Sequence, residues 1–393
     1  MAGVPGLEPR ITVPETVVLP ITPYPKGVAI DPDQLLPRRS HREITLPGSG
    51  TNTKSWHAAT AAPYGGTDKQ IEGRSTMADP DTPTRALAQR IARSISGVVT
   101  GKAEAAESAI LTLLAGGHLL IEDVPGVGKT TLASVLSRTI SADSHRIQFT
   151  SDMLPTDVTG LSIFDQESHA FTFHPGPIFT NIVIGDEVNR ATPRTQSALL
   201  EAMAERSVTV DGRTHGLPDL FMVVATQNPQ DMAGTFPLPE AQRDRFMTQI
   251  SIGYPDAAAE RAMLANRGAS DPLDAVSPVA TVADVLRARH VVAGLHLSDP
   301  VQEYLVAVVG GTRRHEGISL GGSPRATLHL ARMARARAAI RGRDFVSPDD
   351  VAALAGIVLP HRLVPRGRFE SVAASMDAAS QIVAEIIART PVP

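Results

Sequence analysis

Residues 121–131 read IEDVPGVGKTT: an apolar strand exit, a loop with glycines at 126 and 128, then Lys129, Thr130 and Thr131. A loop of this kind between a strand and a helix turns successive backbone N–H groups towards one point, and the helix N-terminus adds its partial positive charge. That is a cradle for phosphate, with a lysine to neutralise the outer phosphates and a hydroxyl to reach a magnesium ion. The pattern G-x-x-x-x-G-K-[ST] asks for a glycine where this chain has Asp123. Gly126 and Gly128 stand nearest the phosphates, where a side chain would collide, and both are kept. Asp123 sits at the strand exit, where an ordinary residue can adopt the needed dihedrals, and Pro125 stiffens the loop. The alternative is a plain turn followed by a solvated lysine.

Hydrolysis needs more than a cradle: a second strand has to present a carboxylate to the metal, with a base beside it. The segment NIVIGDEVNR (181–190) supplies an apolar run, Asp186 at its end and Glu187 next to it. In open α/β sheets ligands bind at the carboxyl ends of strands, so Asp186 is expected on the same edge as Lys129. A third run, FMVVATQNP (221–229), ends in Asn228, an amide able to hold an attacking water or the terminal phosphate. Taken singly, the acids could merely open a helix and Asn228-Pro229 could be a turn. The order of the three runs favours the functional reading.

Composition removes several other chemistries. The chain has 393 residues, a formal net charge of -4 and no cysteine, which excludes disulfides, thiolate metal sites and cysteine nucleophiles. The twelve histidines show no HExxH spacing. No apolar run reaches the roughly 20 residues of a spanning helix, and the start lacks the basic and apolar regions of a secretory signal, which together suggest a cytoplasmic protein. A slightly acidic whole gives no reason to expect nucleic acid as a partner.

The organisation follows the same logic. Residues 1–83 are rich in proline and glycine and read as an extended arm; ITVPETVVLPI (11–21) could add an edge strand and Trp56 could dock. IEGR at 71–74, followed by Met77, also admits a non-native extension. Residues 84–255 alternate helical periods with apolar runs at 118–121, 147–149, 182–184, 221–225 and 248–252, the signature of an α/β fold with a parallel sheet covered on both faces. Residues 256–393 read as a helical domain, with helix starts at Ser323-Pro324 and Ser347-Pro348. On the helix after Pro324, Arg332 and Arg335 fall opposite Leu330, Met333 and Ala334 and are expected on a solvated face.

Several long stretches together resemble the MoxR group of AAA+ ATPases: RIQFTSDMLPTDVTG, FHPGPIFTNIVIGDEVNRATPRTQSALLEAMAERSVTV, VVATQNPQDMAGTFPLPEAQRDRF, GGSPRA and VSPDDVAAL. The resemblance implies an αβα nucleotide domain with a five-stranded parallel sheet, a helical lid, and ATP with Mg2+ between them. It implies a Walker A loop over Pro125, Gly126, Val127, Gly128, Lys129, Thr130 and Thr131, with Thr130 and Asp186 serving the metal and Glu187 acting as base. Asn228 matches sensor 1, Arg245 the arginine finger and Arg325 sensor 2. Arg243 occupies a place that is usually apolar, which leaves open which arginine is the finger; DRF could instead be a structural salt bridge.

A finger that projects from the far side of the domain serves a neighbour, so a homo-oligomeric ring, a hexamer, follows. Arg190 is a further residue that could sense the neighbouring site. SIFDQESHAFTFHPGP (162–177) resembles the hairpin of this branch, its Phe164, Phe171 and Phe173 either packing the hairpin or meeting a client. The implied function is Mg2+-dependent ATP hydrolysis coupled to chaperone-like remodelling of a partner protein, such as one with a von Willebrand factor A domain. The rivals are a chelatase-type motor subunit, a nucleotide-gated scaffold with weak hydrolysis, and a helicase-loader type of nucleic-acid motor.

Overall fold

The computed structural model describes residues 82–393 except 168, 229–233, 256, 258–259 and 262–271. The expected arm, the edge strand expected at 11–21, Trp56, the 71–74 segment and Pro229 therefore lie outside the described residues. Helices α1 (Pro83–Ser96) and α2 (Ala103–Leu114) lead into β1 (Leu119–Glu122), the glycine loop and α3 (Lys129–Thr139). Next come β2 (Ser144–Gln148), a single-turn α4 (Pro155–Thr159), the hairpin β3 (Gly160–Asp165) with β4 (Ala170–Pro175), and β5 (Ile182–Asp186). They are followed by α5 (Pro193–Glu205), a second hairpin of β6 (Ser207–Val210) and β7 (Arg213–Gly216), β8 (Met222–Gln227), α6 (Glu240–Arg243) and β9 (Thr248–Ile250).

The five parallel strands lie in the order β2-β5-β8-β1-β9. β5, β8 and β1 are thus central neighbours, and whatever follows their C-terminal ends is brought to one stretch of the sheet edge. Each central strand alternates its side chains between two apolar clusters. Leu119, Ile121, Ile182, Ile184, Met222 and Val224 face one, while Leu120, Val183, Val223 and Ala225 face the other. Both faces are covered, which explains why the strands read as continuous apolar runs.

The remaining chain is mainly helical: α7 (Val282–Gly294), α8 (Asp299–Arg314), α9 (Pro324–Ile340), α10 (Pro348–Val358) and α11 (Val372–Arg389), with β10 (Ile318–Leu320) and β11 (Val364–Pro365) pairing antiparallel. Ser323 caps α9 by accepting from the Ala326 N–H at 3.2 Å, and Ser347 and Asp350 form a reciprocal capping box on α10. Leu330, Met333, Ala334, Val351 and Val358 join the same apolar cluster as α1, α2 and one face of the sheet. The core and these helices accordingly pack as one unit.

Two expectations change. Arg332 and Arg335 do not project into solvent: Arg332 donates to the Gly116 carbonyl at 3.1 Å and Arg335 to that of Leu295 at 3.0 Å. The carbonyls at the C-terminal end of α2 lack intrahelical donors, and a guanidinium from α9 satisfies one of them. In the β3–β4 hairpin, Phe173 packs inward, stacked on His215 with ring centres 4.0 Å apart. Phe164 and Phe171 are exposed (48% and 68%) and touch each other edge to face at 5.3 Å.

Candidate nucleotide site

Gly126 and Gly128 hold φ of +86° and +92°, a region in which a side chain is strained. A Cβ added at Gly126 would meet no atom within 4 Å, so it would point into the cleft that phosphate needs. The loop, β2, and the ends of β5 and β8 enclose a cavity of about 310 Å³. Pro125, Gly126, Gly128, Lys129, Thr130, Thr131, Asp186, Glu187 and Asn228 all line it. Val127 turns its side chain into the apolar cluster beneath instead, leaving only its backbone to serve the loop.

Lys129 is 8% exposed. Its Nζ donates to Asn228 Oδ1 at 2.8 Å, to the carbonyls of Val124 and Gln227 at 3.3 Å, and to that of Asp123. Burial lowers its pKa below the usual lysine range, while Asp123, Glu187, Asp186 and Glu122 oppose the shift. Asp186, 3% exposed, accepts from Thr130 Oγ1 at 2.9 Å and Thr226 Oγ1 at 3.1 Å through Oδ1, and from Arg146 Nε at 2.6 Å through Oδ2. Glu187 has left-handed backbone angles, φ 56° and ψ 48°, rare for a residue with a Cβ and of a kind that gathers at functional sites. Its N–H bonds Thr226 Oγ1 at 3.1 Å, Oε1 accepts from Asn228 Nδ2 at 3.2 Å, and Oε2 accepts from Arg190 at 3.0 Å. Lysine, two acids and amide thus meet around one cavity.

A magnesium ion fits this donor set. Mg2+ takes one or two carboxylates, keeps several waters and binds substrate phosphates, and a hydroxyl facing a buried carboxylate at 2.9 Å is the protein's share of such a site. Among the described residues no three His, Cys, Asp or Glu side chains cluster as an all-protein metal cage.

The remaining arginines lie elsewhere. Arg245 donates to the Leu200 carbonyl of α5, and Arg325 pairs with Asp244 at 3.4 Å; neither lines the cavity. Asp244 also accepts from Ser323 and faces Arg362 at 3.5 Å, so the DRF segment carries a polar anchor to the helical region. Arg243 is turned inward: its side chain is 15% exposed and lies 3.8 Å from Glu240. Arg190 is bound to Glu187 of its own chain.

Sequence reasoning missed Arg146, Gln148 and Thr226, which also line the cavity. The signal was available: Arg146 and Gln148 are two apart on β2, so they share a face, and β2 pairs with β5 in a register that sets Gln148 opposite Asp186.

Residues 118–248 match the family described as ATPases associated with various cellular activities, and residues 310–386 match an AAA lid domain. Chaperone MoxR1 of Mycobacterium tuberculosis is 37% identical over 327 residues, covering 80% of this chain and 83% of that protein. The chain belongs to the MoxR family of AAA+ ATPases. The uncharacterized protein YeaC of Bacillus subtilis is 46% identical to this MoxR-family chain over 301 residues, or 76% of this chain and 92% of YeaC. A crystal structure of a candidate ATPase from Cytophaga hutchinsonii superposes with a TM-score of 0.70 at 34% identity, covering 79% and 96% of the two chains. The five-stranded parallel sheet and helical region are therefore those of an AAA+ domain and its lid, and the cavity beside the glycine loop of this MoxR-family protein lies at the carboxyl-terminal edge of that sheet.

Proposed function

We propose that this MoxR-family chain is a Mg2+-dependent ATPase acting as a ring of identical subunits, a hexamer, that uses hydrolysis to remodel or activate a client protein in the cytoplasm. The observation that carries the reading is the Thr130–Asp186 contact at 2.9 Å, with the Glu187–Asn228 contact at 3.2 Å lining the same cavity as Lys129. The nucleotide domain spans 84–255 and the lid 256–393, with residues 1–83 as an arm.

Thr130 and Asp186 are the residues to hold Mg2+, which when bound supplies positive charge to the outer phosphates. The backbone of 125–131 and Lys129 hold the phosphates. Glu187 accepts the proton of a water whose oxygen bonds to the terminal phosphorus as the bond to the departing ADP breaks. Asn228, bonded to Glu187 Oε1, fixes the carboxylate that takes this proton. Arg245 is assigned to a neighbour's terminal phosphate and Arg325 to its own. Both have to leave their present partners, Leu200 and Asp244, when the ring and its nucleotide are in place. A protein client is supported by the chaperone designation of MoxR1; a von Willebrand factor A domain is the partner class that the family likeness suggests.

Mixing two inactive variants tests hydrolysis and the ring together. Phosphate release is expected to slow at least roughly a thousandfold in Arg245→Ala and at least about a hundredfold in Glu187→Gln relative to wild type. Mixed rings should regain activity, because a site with an intact Glu187 receives Arg245 from its neighbour. A fully active wild-type monomer, or mixtures as inert as their parts, would refute the arrangement.

A further inference from the structure

Four arginines surround a second cavity, of about 660 Å³, that the nucleotide chemistry does not use. It is formed by the end of α2, Arg206 just beyond α5, Asp219 ahead of β8, Arg289 on α7, and Arg332 and Arg335 on α9. The end of α2 leads into β1 and Asp219 into β8, whereas Lys129 and Asn228 follow those strands. The cavity therefore lies at the N-terminal edge of the parallel sheet, away from the phosphate loop.

The charge there is unbalanced in a protein of formal net charge -4. Asp219 is the one carboxylate on the wall, and among the described residues none of the four arginines is in an ion pair. Three of them are anchored by a single nitrogen each: Arg289 Nε on the Leu113 carbonyl at 2.8 Å, Arg332 Nη2 on Gly116 at 3.1 Å and Arg335 Nε on Leu295 at 3.0 Å. A guanidinium has five N–H donors in a rigid fork, so this anchoring fixes its direction while using few of them. Arg289 Nη2 is buried with no hydrogen-bond partner. Burial, then the charges of Arg206 and Arg332, bring the Arg289 pKa down to about 10, with no acid offsetting them.

Like charges held together and half-buried are costly unless an anion joins them. Fixed guanidinium forks suit the several oxygens of phosphate better than a lone carboxylate. The volume is that of a small-molecule site and exceeds the needs of a single inorganic ion. We infer that this cavity binds a phosphate-bearing small molecule, held by Arg206, Arg289, Arg332 and Arg335, as a site separate from the ATP cleft.

Calorimetric titration of inorganic pyrophosphate into the full-length Lys129→Ala protein, whose nucleotide cleft is disabled, tests this. One saturable site is expected, weakened at least about tenfold when Arg206→Gln or Arg332→Gln is added, since a charge-assisted hydrogen bond to the ligand is lost. Arg206 is exposed, so its variant should fold like the parent even if Arg332→Gln does not. A parallel titration with ADP separates a nucleotide from a smaller phosphate ligand: equal or tighter binding that Arg206→Gln weakens identifies a nucleotide, whereas binding of pyrophosphate alone identifies the smaller class. No saturable binding of either, or binding indifferent to Arg206→Gln, overturns the inference.

Discussion

Thr130 Oγ1 lies 2.9 Å from Asp186 Oδ1, although 56 residues separate them in the chain. The hydroxyl opens α3 and the carboxylate ends β5, and their meeting depends on β5, β8 and β1 being neighbours in the sheet. Asp186 is also gripped by Thr226 and Arg146, so its orientation is set before any ligand arrives. Asp186→Ala should therefore remove Mg2+-dependent turnover by about a hundredfold or more while leaving the fold intact. Phosphate release measured against Mg2+ concentration checks this; an unchanged Mg2+ dependence would refute the metal assignment.

Asp123, the departure from the glycine pattern, has a structural task. Its Oδ2 accepts from Ser251 Oγ at 2.8 Å, Ile252 N at 2.8 Å and Gly253 N at 2.6 Å, and its Oδ1 from Val124 N at 2.8 Å. Burial alone would raise its pKa, but these bonds outweigh burial and hold it below the usual carboxylate range. The carboxylate staples the glycine loop to the chain that leaves β9 towards the lid. Restoring the consensus with Asp123→Gly should destabilise the protein by about 1–3 kcal/mol, as expected for lost hydrogen bonds to a charged group. Urea unfolding would show it; equal or greater stability would rule out the staple.

Three histidines make stability depend on pH. His118 accepts from the Val223 N–H at Nδ1 (2.9 Å) and faces the Met203 carbonyl through Nε2 (3.3 Å), so the ring is neutral. Burial first, then Arg289, Arg206 and Arg332, take its pKa down to about 3. Burial and Arg362 bring His329 to about 2, and the same two causes hold His361 well below its ordinary value. The unfolded chain binds these protons below about pH 6.5 and the native chain does not, so stability is full above that pH and falls as pH drops from 6.5 towards 3. Each histidine contributes a slope of about 1.4 kcal/mol per pH unit in that window. Denaturant midpoints at pH 7.5, 6.5 and 5.5 should fall slightly over the first interval and more steeply over the second; a midpoint that rises below pH 6.5 would contradict the neutral assignments.

The parts legible in the sequence are those fixed by local pattern. The apolar runs at 182–184 and 221–225 had to be strands buried on both faces, and Ser-Pro pairs at 323 and 347 had to open helices. Lys129, Asp186, Glu187 and Asn228 could be placed together because each follows a strand of one parallel sheet. Arg332 and Arg335 could not be read correctly, since helical periodicity gives a side chain's direction but not which carbonyl another element leaves unpaired beside it. The partners of Arg245 and Asp244 were hidden for the same reason: they join segments that no local pattern connects. Asp123 reads as a defect in a motif until the backbone at 251–253 is seen against it.

Glu187 is proposed to take the proton from water while the rest of the cleft binds ATP. The most direct measurement is a pair of assays on Glu187→Gln: affinity for ATP with Mg2+, and single-turnover phosphate release. Near-normal affinity is expected, because Lys129, Thr130 and Asp186 are untouched, with release slowed by at least about a hundredfold. Phosphate release at the wild-type rate would contradict it.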